Sequence, residues 1–149
     1  MSQNNNDAAY EYFNAAVRLD PDNAYAAMLL APLRMYLSNP ELTDSAWRQK
    51  SLDMMRRYVD RYPDDIDEGL QYALIAGMND TMPEAIRVME NLMERQPDNT
   101  TVLAYLSQAY ARNGDPVKAV EALDRFEAIE GRNSGVTLQK MSLLLENRD

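Results

Sequence analysis

Two Pro-Asp turns and a glycine set a fixed period along this chain. Pro63-Asp64-Asp65 and Pro97-Asp98-Asn99 begin 34 residues apart, and Gly131 follows Pro97 by the same 34. A further pair, Pro21-Asp22-Asn23, precedes Pro63 by 42, eight residues more than the period. A recurring period of roughly 20 to 50 residues confines a chain to architectures that stack one supersecondary unit against the next.

The unit can be read from the spacing around each turn. Leading into the turns are Ala9-x3-Phe13-x2-Ala16-x4-Pro21, Ser51-x3-Met55-x2-Tyr58-x4-Pro63, Ala85-x3-Met89-x2-Leu92-x4-Pro97 and Ala119-x3-Leu123-x2-Phe126-x4-Gly131. Steps of four and three place these residues on one helical face. The small residue admits a neighbouring backbone, and the large one fills the space beside it. A second spacing follows the turns. Leu103-x2-Leu106-Ser107-x2-Tyr110 is its clearest copy. Gly69-x2-Tyr72-Ala73-x2-Ala76, Ala27-x2-Leu30-Ala31-x2-Arg34 and Leu138-x2-Met141-Ser142-x2-Leu145 are weaker ones. The unit is therefore a helix pair, and the pattern predicts helices over 8–20, 24–38, 44–62, 66–78, 83–96, 100–113, 116–130 and 136–147.

Local chemistry sharpens the boundaries. In Asn113-Gly114-Asp115-Pro116, glycine suits a left-handed C-cap, aspartate an N-cap and proline the first helical position. Pro32 falls inside a predicted helix and is expected to kink it. The eight extra residues lie between Tyr36 and Ala46, around Ser38-Asn39-Pro40, with Thr43 or Asp44 capping the helix beyond. Trp47, just inside that helix, is expected to pack on the neighbouring hairpin rather than serve as a docking residue.

A 34-residue repeat with W-x2-L-G-x2-Y in one helix and A-x3-F…P in the next is the tetratricopeptide signature. Thr100–Gly131 resembles it closely, Ala9–Pro21 resembles its second half, and residues 66–97 match in length and more loosely in identity. The resemblance covers nearly the whole chain. It implies an all-α fold, a right-handed superhelix of antiparallel helix hairpins (a TPR-like α-solenoid). On this reading residues 1–7 are a flexible polar N-terminus, and residues 8–149 are a single repeat domain of about three full hairpins plus a partial helix at each end. Each unit of such a fold buries its apolar face only against its neighbours. The unpaired ends, one carrying Leu143-Leu144-Leu145, imply either a piece of a longer repeat protein or self-association with a second copy.

Composition narrows the function. The net charge of −9 opposes binding to phosphate backbones and anionic membranes. With no cysteine and no histidine, thiolate sites, Ser-His and Cys-His catalysis and the commonest metal ligand are excluded. The cluster Asp64, Asp65, Asp67, Glu68 lacks calcium-loop spacing and reads as helix capping. The five glycines form no phosphate loop. The sequons at Asn79 and Asn99, and Ile129-Glu130-Gly131-Arg132, read as coincidences. No catalytic residue, cofactor or metal is expected, and the chain is read as a non-enzyme.

In proteins that the chain resembles, the first helices of successive hairpins line a concave groove for a peptide or helix. Carried over, the resemblance implies Tyr25, Met28, Met35 and Tyr36 from the first such helix, Leu70, Leu74 and Met78 from the second, and Thr101, Tyr105, Gln108 and Arg112 from the third. Only Arg112 is cationic, which disfavours the mode that grips a C-terminal carboxylate. Methionine and tyrosine suit an amphipathic helix or apolar segment of a protein partner. The expected function is a protein–protein interaction module. The alternative is a non-catalytic repeat arm of a multidomain enzyme or transport assembly. No apolar run reaches the roughly 20 residues of a membrane helix, and the polar start is no signal peptide. The expected compartment is cytoplasmic for a complete chain, and periplasmic or otherwise extracytoplasmic if a leader has been removed.

Overall fold

The computed structural model describes residues 45–79 and 81–146, together with residues 8, 11 and 15. Among the described residues there are six helices and no strand: α1 (Ser45–Arg61), α2 (Ile66–Met78), α3 (Met82–Arg95), α4 (Thr100–Arg112), α5 (Pro116–Glu130) and α6 (Ser134–Glu146). Each matches a predicted helix to within two residues at either end. Ala8, Glu11 and Ala15 are helical and exposed. The rest of the predicted helix 8–20, the helix 24–38 with Pro32, the eight extra residues and the Trp47 side chain lie outside the described residues.

The period reappears in how the helices start. Asp65, Asn99 and Asn133 stand 34 residues apart. Each lends a side-chain oxygen to the N–H of the third residue on: Glu68 at 3.2 Å, Val102 at 3.1 Å and Val136 at 2.9 Å. A helix leaves its first N–H groups without internal partners, so this acceptor fixes where the helix begins and hence which residues face inward. The intervening helix α5 starts as the sequence predicts. Gly114 takes a φ of 81°, the Asp115 side chain accepts from the Lys118 N–H, and Pro116 opens the helix. Gly131 takes a φ of 92° at the end of α5, which a side chain disfavours.

The chain divides into two compact units, Met1–Ile75 and Ala76–Asp149, with the division inside α2. In the first unit, Leu52, Met55 and Tyr58 of α1 are buried, as are Gly69, Tyr72, Ala73 and Ile75 of α2. In the second, α4 packs against both α3 and α5, and α6 packs against α5. Its core holds Ala85, Met89 and Leu92 of α3, Leu103, Leu106 and Ser107 of α4, and Ala119 and Leu123 of α5. These are the positions both sequence patterns select; Tyr110 and Phe126 are half-buried.

The last copy of the pattern is read one residue out of register. Leu138, Met141 and Leu145 are 64%, 54% and 59% exposed, and Ser142 is exposed with them. Because Asn133 caps α6 as Asn99 caps α4, the residues in the places of Leu103, Leu106, Ser107 and Tyr110 are Thr137, Lys140, Met141 and Leu144. One residue of slip turns a helix face by about 100°. The inward stripe of α6 is Val136, Lys140 and Leu143, all half-buried.

Two tyrosines tie these elements with neutral phenols. The Tyr58 hydroxyl donates to Asp65 at 2.7 Å, and the Tyr110 hydroxyl donates to Glu90. Burial first, and then the bond to the carboxylate, push both phenols well above the ordinary value of about 10. The folded state therefore favours the protonated phenol. Its contribution is complete below about pH 10 and is lost as the pH rises further. The unfolding midpoint is expected to fall above about pH 10. A Tyr58→Phe/Tyr110→Phe variant, weaker at neutral pH by about 1 kcal/mol per lost bond, is expected to fall less steeply. Equal slopes in thermal unfolding scans across that range would remove the tyrosines from this role.

Candidate functional site

The two described helices that follow a Pro-Asp turn, α2 and α4, each offer one buried and one open face. On α4, Val102, Leu103 and Leu106 turn inward, and Thr101, Tyr105, Gln108 and Arg112 form a solvent-exposed stripe on the opposite side. Steps of four, three and four keep these four side chains in line along the axis. Sequence reasoning chose all four.

On α2 the agreement is partial. Met78 is exposed, while Leu70 and Leu74 are half-buried. The 34-residue register places Asp67, Gln71, Leu74 and Met78 of α2 where α4 has Thr101, Tyr105, Gln108 and Arg112. Asp67 and Gln71 are exposed. Subtracting the period from the α4 set would have found them. The same step forward gives Gly135, Gln139, Ser142 and Glu146 on α6, all exposed. Tyr25, Met28, Met35 and Tyr36 lie outside the described residues.

Tyr105 offers a rigid aromatic surface with a polar tip, and Gln71, Gln108 and Gln139 offer amide donors and acceptors. In the acidic cluster, Asp65 accepts from the Glu68 N–H through one oxygen and from Tyr58 through the other. Among the described residues, no group of three or more Asp or Glu is placed to hold a metal ion, and no helix is long and apolar enough to cross a membrane.

Comparison with known proteins agrees with this geometry. Two family models, each described as tetratricopeptide repeat, match residues 1–66 and residues 79–134. Two crystal structures of MamA have the same fold. One superposes with a TM-score of 0.57 at 16% identity, covering 85% of this chain and 70% of that one. The other has a TM-score of 0.58 at 16% identity, covering 86% and 66%. No curated protein matches the chain in sequence.

Proposed function

We infer, because this chain belongs to the tetratricopeptide repeat family, that it works by binding another protein. The reading is of a non-enzymatic interaction module that seats a peptide or helix of its partner on the open faces of its first-type helices. The observation that carries it is the division of α4. Its interior residues obey the repeat, while Thr101, Tyr105, Gln108 and Arg112 serve no core and stay in water. Tyr25, Met28, Met35 and Tyr36 extend that surface on this reading, with Leu70, Leu74 and Met78 as its apolar part and an amphipathic helix as the occupant. The net charge of −9 favours a basic or neutral partner over nucleic acid.

A second reading, a non-catalytic repeat arm of a larger enzyme or transport assembly, draws on the exposed Leu138, Met141, Leu144 and Leu145 of α6. An adjoining part of such an assembly would cover them.

Affinity capture from the source cell separates the two. The natural chain is compared with a Met78→Glu/Tyr105→Ala/Arg112→Ala variant, whose changes fall on exposed side chains and leave the helical content unaltered. Tyrosine and arginine anchors at interface centres typically contribute about 2 kcal/mol or more each. A partner of the module is therefore expected to bind the variant at least roughly thirtyfold more weakly. Equal retention by both proteins moves the contact off these faces. A partner lost instead on Leu138→Glu/Leu145→Glu favours the arm.

A further inference from the structure

We propose that α6 is a releasable helix, latched onto α5 by the Lys140 ammonium and able to leave while α3, α4 and α5 stay folded. The register fixed by Asn133 puts Lys140 where α4 has Leu106, which is 3% exposed. A charged group thus occupies the central position of the face that α6 turns toward α5. Lys140 Nζ lies 2.6 Å from Asp124 Oδ1 and 2.5 Å from Glu127 Oε1, both on α5. The Glu127 side chain is 7% exposed, and among the described residues its Oε1 has no partner other than this ammonium.

The rest of α6 adds little to hold it. None of its residues is buried, whereas five are on α4 and four on α5. Val136 and Leu143, on either side of Lys140, are only half-buried. An ion pair removed from water returns most of its attraction as desolvation cost, so releasing α6 rehydrates Lys140 and Glu127 at small net cost. Local opening is easiest where apolar burial is least. The helix also carries its own start: the Asn133 side chain accepts from the Val136 N–H, and its backbone oxygen accepts from the Thr137 hydroxyl. Salt, which screens the partly exposed Asp124, acts on the latch and leaves the apolar core alone.

Amide hydrogen exchange on the full chain, read by mass spectrometry at 0.05 and 0.5 M sodium chloride, tests this. Residues 134–146 are expected to exchange at least roughly tenfold faster than α4, and several-fold faster again in high salt. Lys140→Gln is expected to raise α6 exchange roughly tenfold at low salt, with α4 unchanged. The Lys140→Leu/Glu127→Leu pair replaces the latch by apolar contact, and is expected to slow α6 and abolish its salt response. Protection of α6 equal to that of α4 overturns the proposal. So does a salt response that survives in the double variant, or loss of α4 protection together with α6 in Lys140→Gln.

Discussion

Leu103→Ala lowers the unfolding free energy of the chain by about 3 kcal/mol, the largest single-residue loss expected here. Leu103 is fully buried, with 0% of its surface exposed, on α4, which packs against both α3 and α5. Truncation removes apolar atoms that were out of water and leaves a cavity. The neighbours cannot close it easily, because Val102, Leu106 and Ser107 beside it are themselves held in the buried face of α4. Such substitutions span roughly 2–5 kcal/mol depending on how far a site collapses. The position between two helices argues against the low end. Urea unfolding followed by circular dichroism reads the effect as a lower midpoint at unchanged slope. A loss below about 1 kcal/mol would take Leu103 out of the packed interior.

Ala119→Leu is the second large effect, and its cause is opposite. Ala119 is also 0% exposed, and it stands 34 residues after Ala85, which is buried in the same way on α3. A methyl side chain lets adjacent helix axes approach toward the close end of their usual 8–10 Å separation. Three extra carbons at that crossing force either off-rotamer side chains or a shifted helix, at a cost of about 1–3 kcal/mol. Ala128→Leu, on the exposed side of the same helix, makes the same chemical change with nothing to collide with. Since alanine and leucine are both strong helix formers, that control is expected to stay within about 0.5 kcal/mol of the natural chain. The two variants measured side by side separate overpacking from any intrinsic cost of leucine in α5. Equal stabilities would mean that α5 does not approach its neighbour closely at Ala119.

Both substitutions sit at positions that the 34-residue spacing picks out, which shows where sequence reasoning was strongest. Pro63, Pro97 and Gly131 mark the turns, and Asp65, Asn99 and Asn133 follow each at the same distance. A proline or a positive-φ glycine ends one helix, and a short polar side chain two residues later starts the next, through forces acting within a few residues. The inward Ala85, Met89, Leu92 and Leu103, Leu106 were legible for the same reason, since helical periodicity is a local property. Thr101, Tyr105, Gln108 and Arg112, which the resemblance implied, lie on the exposed face of α4 opposite its buried residues.

Apolarity misled the reading on α6. Leu138, Met141 and Leu145 imitate the inward pattern there one residue late. The face that α6 sets against α5 is instead Val136, Lys140 and Leu143, each half-buried. The sequence by itself determined that this is a stack of helix pairs, where the described helices begin to within two residues, and which residues of α3, α4 and α5 leave water. Only the tertiary structure decided what α6 turns toward α5. Lys140 lies inward because Asp124 and Glu127, about one turn apart on α5, supply the charge that makes a half-buried ammonium tolerable. No periodicity within α6 records what stands opposite it.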